Sequence, residues 1–458
     1  MEQLPDDVLV RTMKKFLGVE DVIGCRLVCK RFAALALHPD VWRGRQIYSI
    51  SHRKHFEAVL HLAPCLKSFT TDMARTLITT RCAIKNLGLR VEKEDFNAAE
   101  HALVVRNQEA LGRLRNLHIA CYSEVTGGDA LLRTLAMCCG LETLKISTCV
   151  PRTLRPVVHG TLSASLRKFN CELIPNSASF VNTILAAHSS TLEDVDLGVG
   201  PESWFLSYNE WNSDETMRLL AGIPKLRRLV SSVLPGLENV AVAARETLQS
   251  LVFAFVAKDQ PAVAEAARAL RKANKLDMVY LTFVDDGTDH SRPDSCGEVI
   301  EAIASPFVDY LGLRNRPPIE SLARKLVGLP ALSLLGMFDT PLDDELDKLL
   351  LAITPYTAPA LRRLRLEEEV GGNKCTHAWM HRDAVITALS ANPLLHILVE
   401  FNKMCKKDEC PVCASGCHQG EDQVDWEDKC ELHLFSHDLG KCPVPKDHEW
   451  NTNEIKMP

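Results

Sequence analysis

The chain has 458 residues, 46% of them hydrophobic and 24% charged, with a net charge of −6. This composition rules out bulk disorder, and the negative balance argues against a basic nucleic-acid-binding protein. At roughly 100–200 residues per domain, the length predicts two to four domains or one long repeat array.

The opening MEQLPDDVL has neither a basic stretch nor an apolar core, and no run of 18 apolar residues follows. The expectation is a chain without secretory signal or membrane span. Isolated cysteines and the adjacent Cys138-Cys139 pair fit reduced thiols, so the expected location is cytoplasmic, nuclear or both.

Pro5 suits the first position of a helix, and Asp6 and Asp7 complement its positive end. Val8, Leu9, Thr12/Met13 and Phe16 form an apolar stripe, and Gly18 is expected to close the helix in a left-handed cap. Glu20 and Asp21 open a second helix, expected to carry Val22, Cys25, Val28 and Cys29 on one face. A third ends before His38-Pro39. So small a unit cannot hide Leu4, Leu17, Leu27, Phe32 and Trp42, so the excess should dock on a partner or on the rest of the chain.

These residues resemble the F-box. The pattern is Leu4-Pro5, Asp7, Phe16-Leu17, Asp21, Val28-Cys29-Lys30-Arg31-Phe32 and Trp42. Phe32 stands where the family usually has Trp, and Gly24 where a larger apolar residue is common. The resemblance covers roughly 45 residues, residues 1–48 being read as the domain. It implies docking to the Skp-type adaptor of a cullin-based (SCF) ubiquitin ligase through Leu4, Pro5, Asp7, Leu9, Phe16, Leu17, Val28, Cys29, Lys30, Phe32 and Trp42. The plainer alternative is a helical cap on the next domain.

Across residues 60–400 an apolar-x-x-apolar-x-apolar pattern recurs. It runs from Leu114-Leu117-Ile119 through Leu141-Leu144-Ile146, Leu248-Leu251-Phe253 and Leu332-Leu335-Met337 to Leu394-Ile397-Val399. Leu66-Phe69 and Ile84-Leu87-Leu89 are weaker copies. Helical stripes fill the gaps, such as Phe180, Val181, Ile184, Leu185 and Ile319, Leu322, Ala323, Leu326. A short strand and a helix repeated in this way is the leucine-rich-repeat signature, because one unit cannot bury its apolar edge and must stack on the next. The predicted fold is α/β: a short helical F-box, then a leucine-rich-repeat solenoid or horseshoe with a parallel concave sheet and outer helices. An ordinary α/β domain with look-alike strands is the alternative.

An F-box followed by such repeats resembles the F-box/leucine-rich-repeat substrate receptors of SCF ligases. The resemblance implies a non-catalytic subunit holding a target protein near the ligase; a non-degradative interaction scaffold is the alternative. Strand alternation puts the residues flanking each middle apolar position on the concave face. There the early repeats are polar, and the face turns apolar and aromatic from Val230 to Leu334. Val230, Val252, Met278, Tyr280 and Tyr310, bordered by Arg363 and Arg365, are the expected substrate contacts.

Six of the 17 cysteines crowd into residues 401–458, with seven lysines against twelve acidic residues. Cys410-x-x-Cys413 and Cys430-x-x-His433 make two chelating pairs of zinc type, and Cys405, Cys417, His418, His437, Cys442 and His448 offer a second set. The tail is read either as zinc-binding or as a disordered acidic segment. No phosphate-cradling loop, nucleophile elbow or H-E-x-x-H occurs, so no catalytic residue is expected.

Overall fold

The computed structural model describes residues 4–48, 55–91, 97–122, 128–148, 163–199, 213–284, 296–368, 376–401, 430–438, 442 and 453–457. The chain divides into two compact units, one of residues 1–203 with 222–226 and one of residues 204–221 with 227–458.

The first unit opens with four helices, Asp6–Phe16, Val19–Cys25, Lys30–Ala36 and Pro39–Trp42. Leu9, Val10, Met13, Val22, Leu35, Val41 and Trp42 form their core. The inward stripe of the first helix is therefore Leu9, Val10 and Met13, while Val8 and Phe16 stay outside. Gly18 is not the left-handed cap expected. It is extended (φ −68°, ψ 176°) and precedes the second helix, where its N–H donates to the Asp21 carboxylate at 3.0 Å. That contact satisfies a donor at a helix start, half of a capping box. The second helix stops at Cys25, so Val28 and Cys29 do not share its face; Cys29 Sγ accepts from the Phe32 N–H and caps the third helix instead. Trp42 Nε1–H donates to the Ala36 carbonyl at 2.6 Å. Arg45 donates to the carbonyls of Met13 (2.8 Å) and Leu17 (3.0 Å), closing the exposed end of the first helix.

Seven parallel strands follow in chain order: β1 Gln46–Tyr48, β2 Cys65–Thr71, β3 Ala83–Val91, β4 Asn116–Cys121, β5 Thr143–Thr148, β6 Lys168–Cys171 and β7 Asp194–Asp196. Leu87, Leu117, Leu144, Phe169 and Val195 lie in one register row, all buried, so the repeated apolar position becomes one continuous interior. The intervening helices, among them Ala98–Ala110, Asp129–Ala136 and Ala178–His188, pack each on the next. Buried side chains satisfy the turns: the Gln108 amide accepts from the Ile84 N–H at 2.9 Å and donates to the Cys82 carbonyl at 3.1 Å.

The second unit repeats the arrangement with β8 Arg228–Ser232, β9 Ser250–Val256, β10 Met278–Val284, β11 Tyr310–Arg314, β12 Leu334–Thr340, β13 Arg363–Glu368 and β14 His396–Phe401, again parallel and in chain order. Leu229, Leu251, Val279, Leu311, Leu335, Leu364 and Ile397 form its buried row. The helix Ile319–Leu326 occupies a predicted stripe, and Asp344–Ala352 is a further helix between strands. Part of the tail is ordered structure rather than loose chain. β15 (Cys430–Phe435) pairs antiparallel with β14, and β16 (Asn453–Lys456) pairs parallel with β15. The middle apolar position of each of the thirteen repeats, from Phe69 to Ile397, lies on a strand of β2–β14. The architecture is a leucine-rich-repeat type of α/β solenoid after a helical N-terminal region.

Candidate functional site

On the N-terminal helices, Phe16 is 72% exposed and Leu27 is 89% exposed, with Leu4, Val28 and Leu37 also open to solvent. Water-facing side chains of this size in so small a unit form an unpartnered apolar surface. Pro5, Asp7, Cys29 and Lys30 are exposed beside them, whereas Leu17 and Phe32 are half-buried. Leu9 and Trp42 were expected among the docking residues, but both are buried; they hold the helices together and cannot meet a partner. Arg31 pairs with Asp6 at 2.7 Å and donates to the Leu4 carbonyl, tying the Leu4-Pro5 segment to the third helix. Leu27 was expected in the apolar excess that so small a unit cannot hide, but not among the adaptor contacts implied by the resemblance; it sits in the turn between two helices.

The concave-face registry follows the repeat pattern. Arg228, Ser250, Met278, Tyr310, Leu334, Arg363 and His396 lie in one cross-strand row. Val230, Val252, Tyr280, Gly312, Gly336, Arg365 and Leu398 lie in the next. Val252, Met278, Tyr280, Tyr310 and Arg363 are half-buried and Arg365 is exposed. Val230 is buried, so it is not available as a contact on this face; its methyl groups already have protein around them.

The centre of this face is built on two glycines. A Cβ at Gly312 would lie 2.2 Å from Tyr280 Cδ2 and 2.9 Å from the Tyr310 hydroxyl; one at Gly336 would lie 2.7 Å from Phe338 Cε2. The rings of Tyr280, Tyr310 and Phe338 therefore lie over a floor without side chains. Tyr280 and Phe338 are 5.5 Å apart between centroids, tilted by 36°, a favourable aromatic pairing. Burial pushes the Tyr280 hydroxyl up to about 12 and raises that of Tyr310, so both remain protonated donors. The register shifts between Met337 and Thr340, and Asp339 sits there at φ 49°. Asp is among the few residues that tolerate this left-handed backbone. Asp339 accepts from Arg314 at 2.6 Å, and Arg365 pairs with Glu400. The result is an aromatic platform rimmed by ion pairs. Phe338, Arg314 and Asp339 escaped sequence reading. The legible signal was the pair of glycines at outward positions next to tyrosines.

The first unit's face is polar instead. Asn116 donates to the Asn86 side chain at 2.6 Å, and His118 Nε2 lies 2.8 Å from Ser147 Oγ.

Of the expected zinc ligands, Cys410 and Cys413 lie outside the described residues, as does the side chain of Cys430. His433, on β15, is buried with its Nε2 2.6 Å from Nδ1 of His396 on β14. On the other side of the same ring, His396 Nε2 lies 3.5 Å from Cys442 Sγ. His437 shares the cluster, 4.8 Å from His396 between ring centroids. The structure thus brings His433 to His396, His437 and Cys442. No sequence signal marks His396, which occupies an ordinary outward strand position.

A family model described as F-box-like matches residues 1–46. No curated protein matches the chain. Among solved structures, the crystal structure of a TLR13–ssRNA13 complex aligns at 13% identity with a TM-score of 0.31. That alignment covers 71% of this chain and 48% of the other, so the chain spans about half of that protein's length. The chain carries an F-box-like domain at residues 1–46, followed by a leucine-rich-repeat-like fold.

Proposed function

We propose that this protein is the substrate-recognition subunit of an SCF-type ubiquitin ligase, bound through residues 4–42 to a Skp-type adaptor and through it to a cullin. The carrying observation is the exposed apolar set Leu4, Phe16, Leu27 and Val28 within an F-box-like domain. The platform of Tyr280, Tyr310 and Phe338, with Met278, Arg314, Arg363 and Arg365 around it, is the target-binding surface. Aromatic anchors inside a polar rim are the composition that dominates protein–protein affinity. The protein supplies no catalytic residue. Its mechanism is proximity: tethering the target raises the effective concentration of its lysines at the charged ubiquitin carrier.

The test is affinity capture of the full chain from cells, with and without Phe16→Ala and Leu27→Ala. Adaptor and cullin should co-purify with the unsubstituted chain and be lost from the doubly substituted one. Proteins that accumulate on the variant, and no longer bind after Met278→Asp with Tyr280→Asp, are the targets. Adaptor capture with no protein accumulating on its loss would instead identify a non-degradative scaffold.

A further inference from the structure

The His/Cys cluster has the chemistry of a metal centre. Its members come from β14 (His396), β15 (His433) and the segment after β15 (His437, Cys442), so only the β14–β15 pairing assembles them. One ligand atom from each of His396, His437 and Cys442 can be chosen so that all lie within 4.8 Å of one another. All are buried, His437 being the most open at 9% exposure. A zinc ion about 2.1 Å from nitrogen and about 2.3 Å from sulfur, in tetrahedral geometry, sets N and S about 3.6 Å apart. His396 Nε2 and Cys442 Sγ lie 3.5 Å apart.

The hydrogen bonds orient the rings for the same purpose. His437 Nδ1 lies 2.8 Å from the Pro393 carbonyl, which can only accept. That nitrogen therefore carries the proton, and the lone pair is on Nε2. His396 with Nε2 toward the thiol carries its proton on Nδ1 and donates it to His433 Nε2 at 2.6 Å. Ligating imidazoles held by an outer acceptor on their other nitrogen are the usual support of zinc sites. Phe435, 6.3 Å from the His396 ring and 5.3 Å from the His437 ring between centroids, supplies an apolar wall.

We propose that His396 Nε2, His437 Nε2 and Cys442 Sγ bind one divalent ion of zinc type, with His433 as a positioning residue. Cys442 loses its proton and binds as thiolate, so binding releases one proton. This set takes His437 and Cys442 from the second set that the sequence offered, adds His396, and moves His433 of the chelating pairs from ligand to support. The ion would clamp the segment after β15 onto β14, sealing the end of the repeat stack, where solenoids need a cap.

The experiment uses the full chain carrying Cys410→Ser and Cys413→Ser, purified reduced and free of chelator. Zinc is quantified by mass spectrometry, and the ligand shell by X-ray absorption at the zinc edge. The expected result is one zinc per chain with a shell of nitrogen or oxygen and a single sulfur. Cobalt substitution should give a thiolate-to-metal charge-transfer band, lost in Cys442→Ser. His433→Gln should retain the site but weaken zinc affinity by about 10–100-fold. No bound zinc in the parent chain, a shell with two or more sulfurs, or stoichiometry unaltered by both Cys442→Ser and His437→Asn overturns the proposal. The first two of these readings need no variant at the site and so do not depend on how its substitutions fold.

Discussion

Replacing Phe16 and Leu27 together by alanine separates docking from folding. Fully covering a large apolar side chain contributes about 1.5–3 kcal/mol. Scaled by exposures of 72% and 89%, the two side chains have roughly 2.5–5 kcal/mol to gain from a partner. The adaptor Kd should therefore rise about 60- to 4,000-fold. Since neither side chain is in the core, the stability of the N-terminal helices should stay within about 0.5 kcal/mol of the parent. Isothermal titration against the purified Skp-type adaptor, with a thermal melt of the same samples, reads both. Binding within threefold of the parent would refute the assignment of this face. A large loss of stability would show that the two residues serve the fold and not the partner.

Trp42→Phe removes the N–H that the buried Ala36 carbonyl accepts, and should cost about 1–3 kcal/mol, seen as earlier urea unfolding of residues 4–48 by hydrogen exchange. Gly312→Ala places a Cβ 2.2 Å from Tyr280 Cδ2, so overpacking should cost about 1–3 kcal/mol and weaken target capture along with it. Unchanged melting and capture would mean that the rings move aside freely. His188 Nδ1 accepts from the N–H groups of Ser165 (3.2 Å) and Leu166 (3.4 Å), and burial lowers its pKa. In the unfolded chain it protonates near about pH 6.5, while in the fold it stays neutral to lower pH. Stability should therefore be complete above that pH and fall as the solution is acidified through and below it. The protection factor of the Leu166 amide, corrected for the intrinsic pH dependence of exchange, should fall between about pH 7.5 and 5.5, and His188→Gln should flatten that dependence. His118, lowered by burial and by Lys145 and Arg90, adds to the same slope and remains in the variant as an internal reference.

The repeats were legible because their cause is local. Each strand's alternation sets which side chains face in, so Met278, Tyr280 and Tyr310 could be assigned to one face from their neighbours Val279 and Leu311 alone. The helix starts near Asp6 and Val19 were likewise readable, from Pro5 and the acidic residues of each first turn. What the pattern could not convey was how much of each side chain the neighbours already cover. Leu9, Trp42 and Val230 have the right composition for contact surfaces, yet packing from residues distant in sequence buries all three. Leu27 is the reverse, unmarked by period and yet the most exposed of the N-terminal apolar residues.

Length, composition and the apolar period by themselves determined that the chain is a helical N-terminal unit followed by stacked strand–helix repeats. No repeat can bury its edge alone, so the stacking is obligatory. The cysteine spacing also made the tail a candidate for metal chemistry, with a disordered acidic segment as the alternative. Only the tertiary structure decided which residues meet there. β15 turns back antiparallel onto β14, so His396, which belongs to the repeats, comes within 3.5 Å of Cys442, 46 residues later. Spacing along a chain reports ligands on one turn or knuckle. A site made by pairing two strands joined through a long connection has no such period, and its members become neighbours only when the sheet forms.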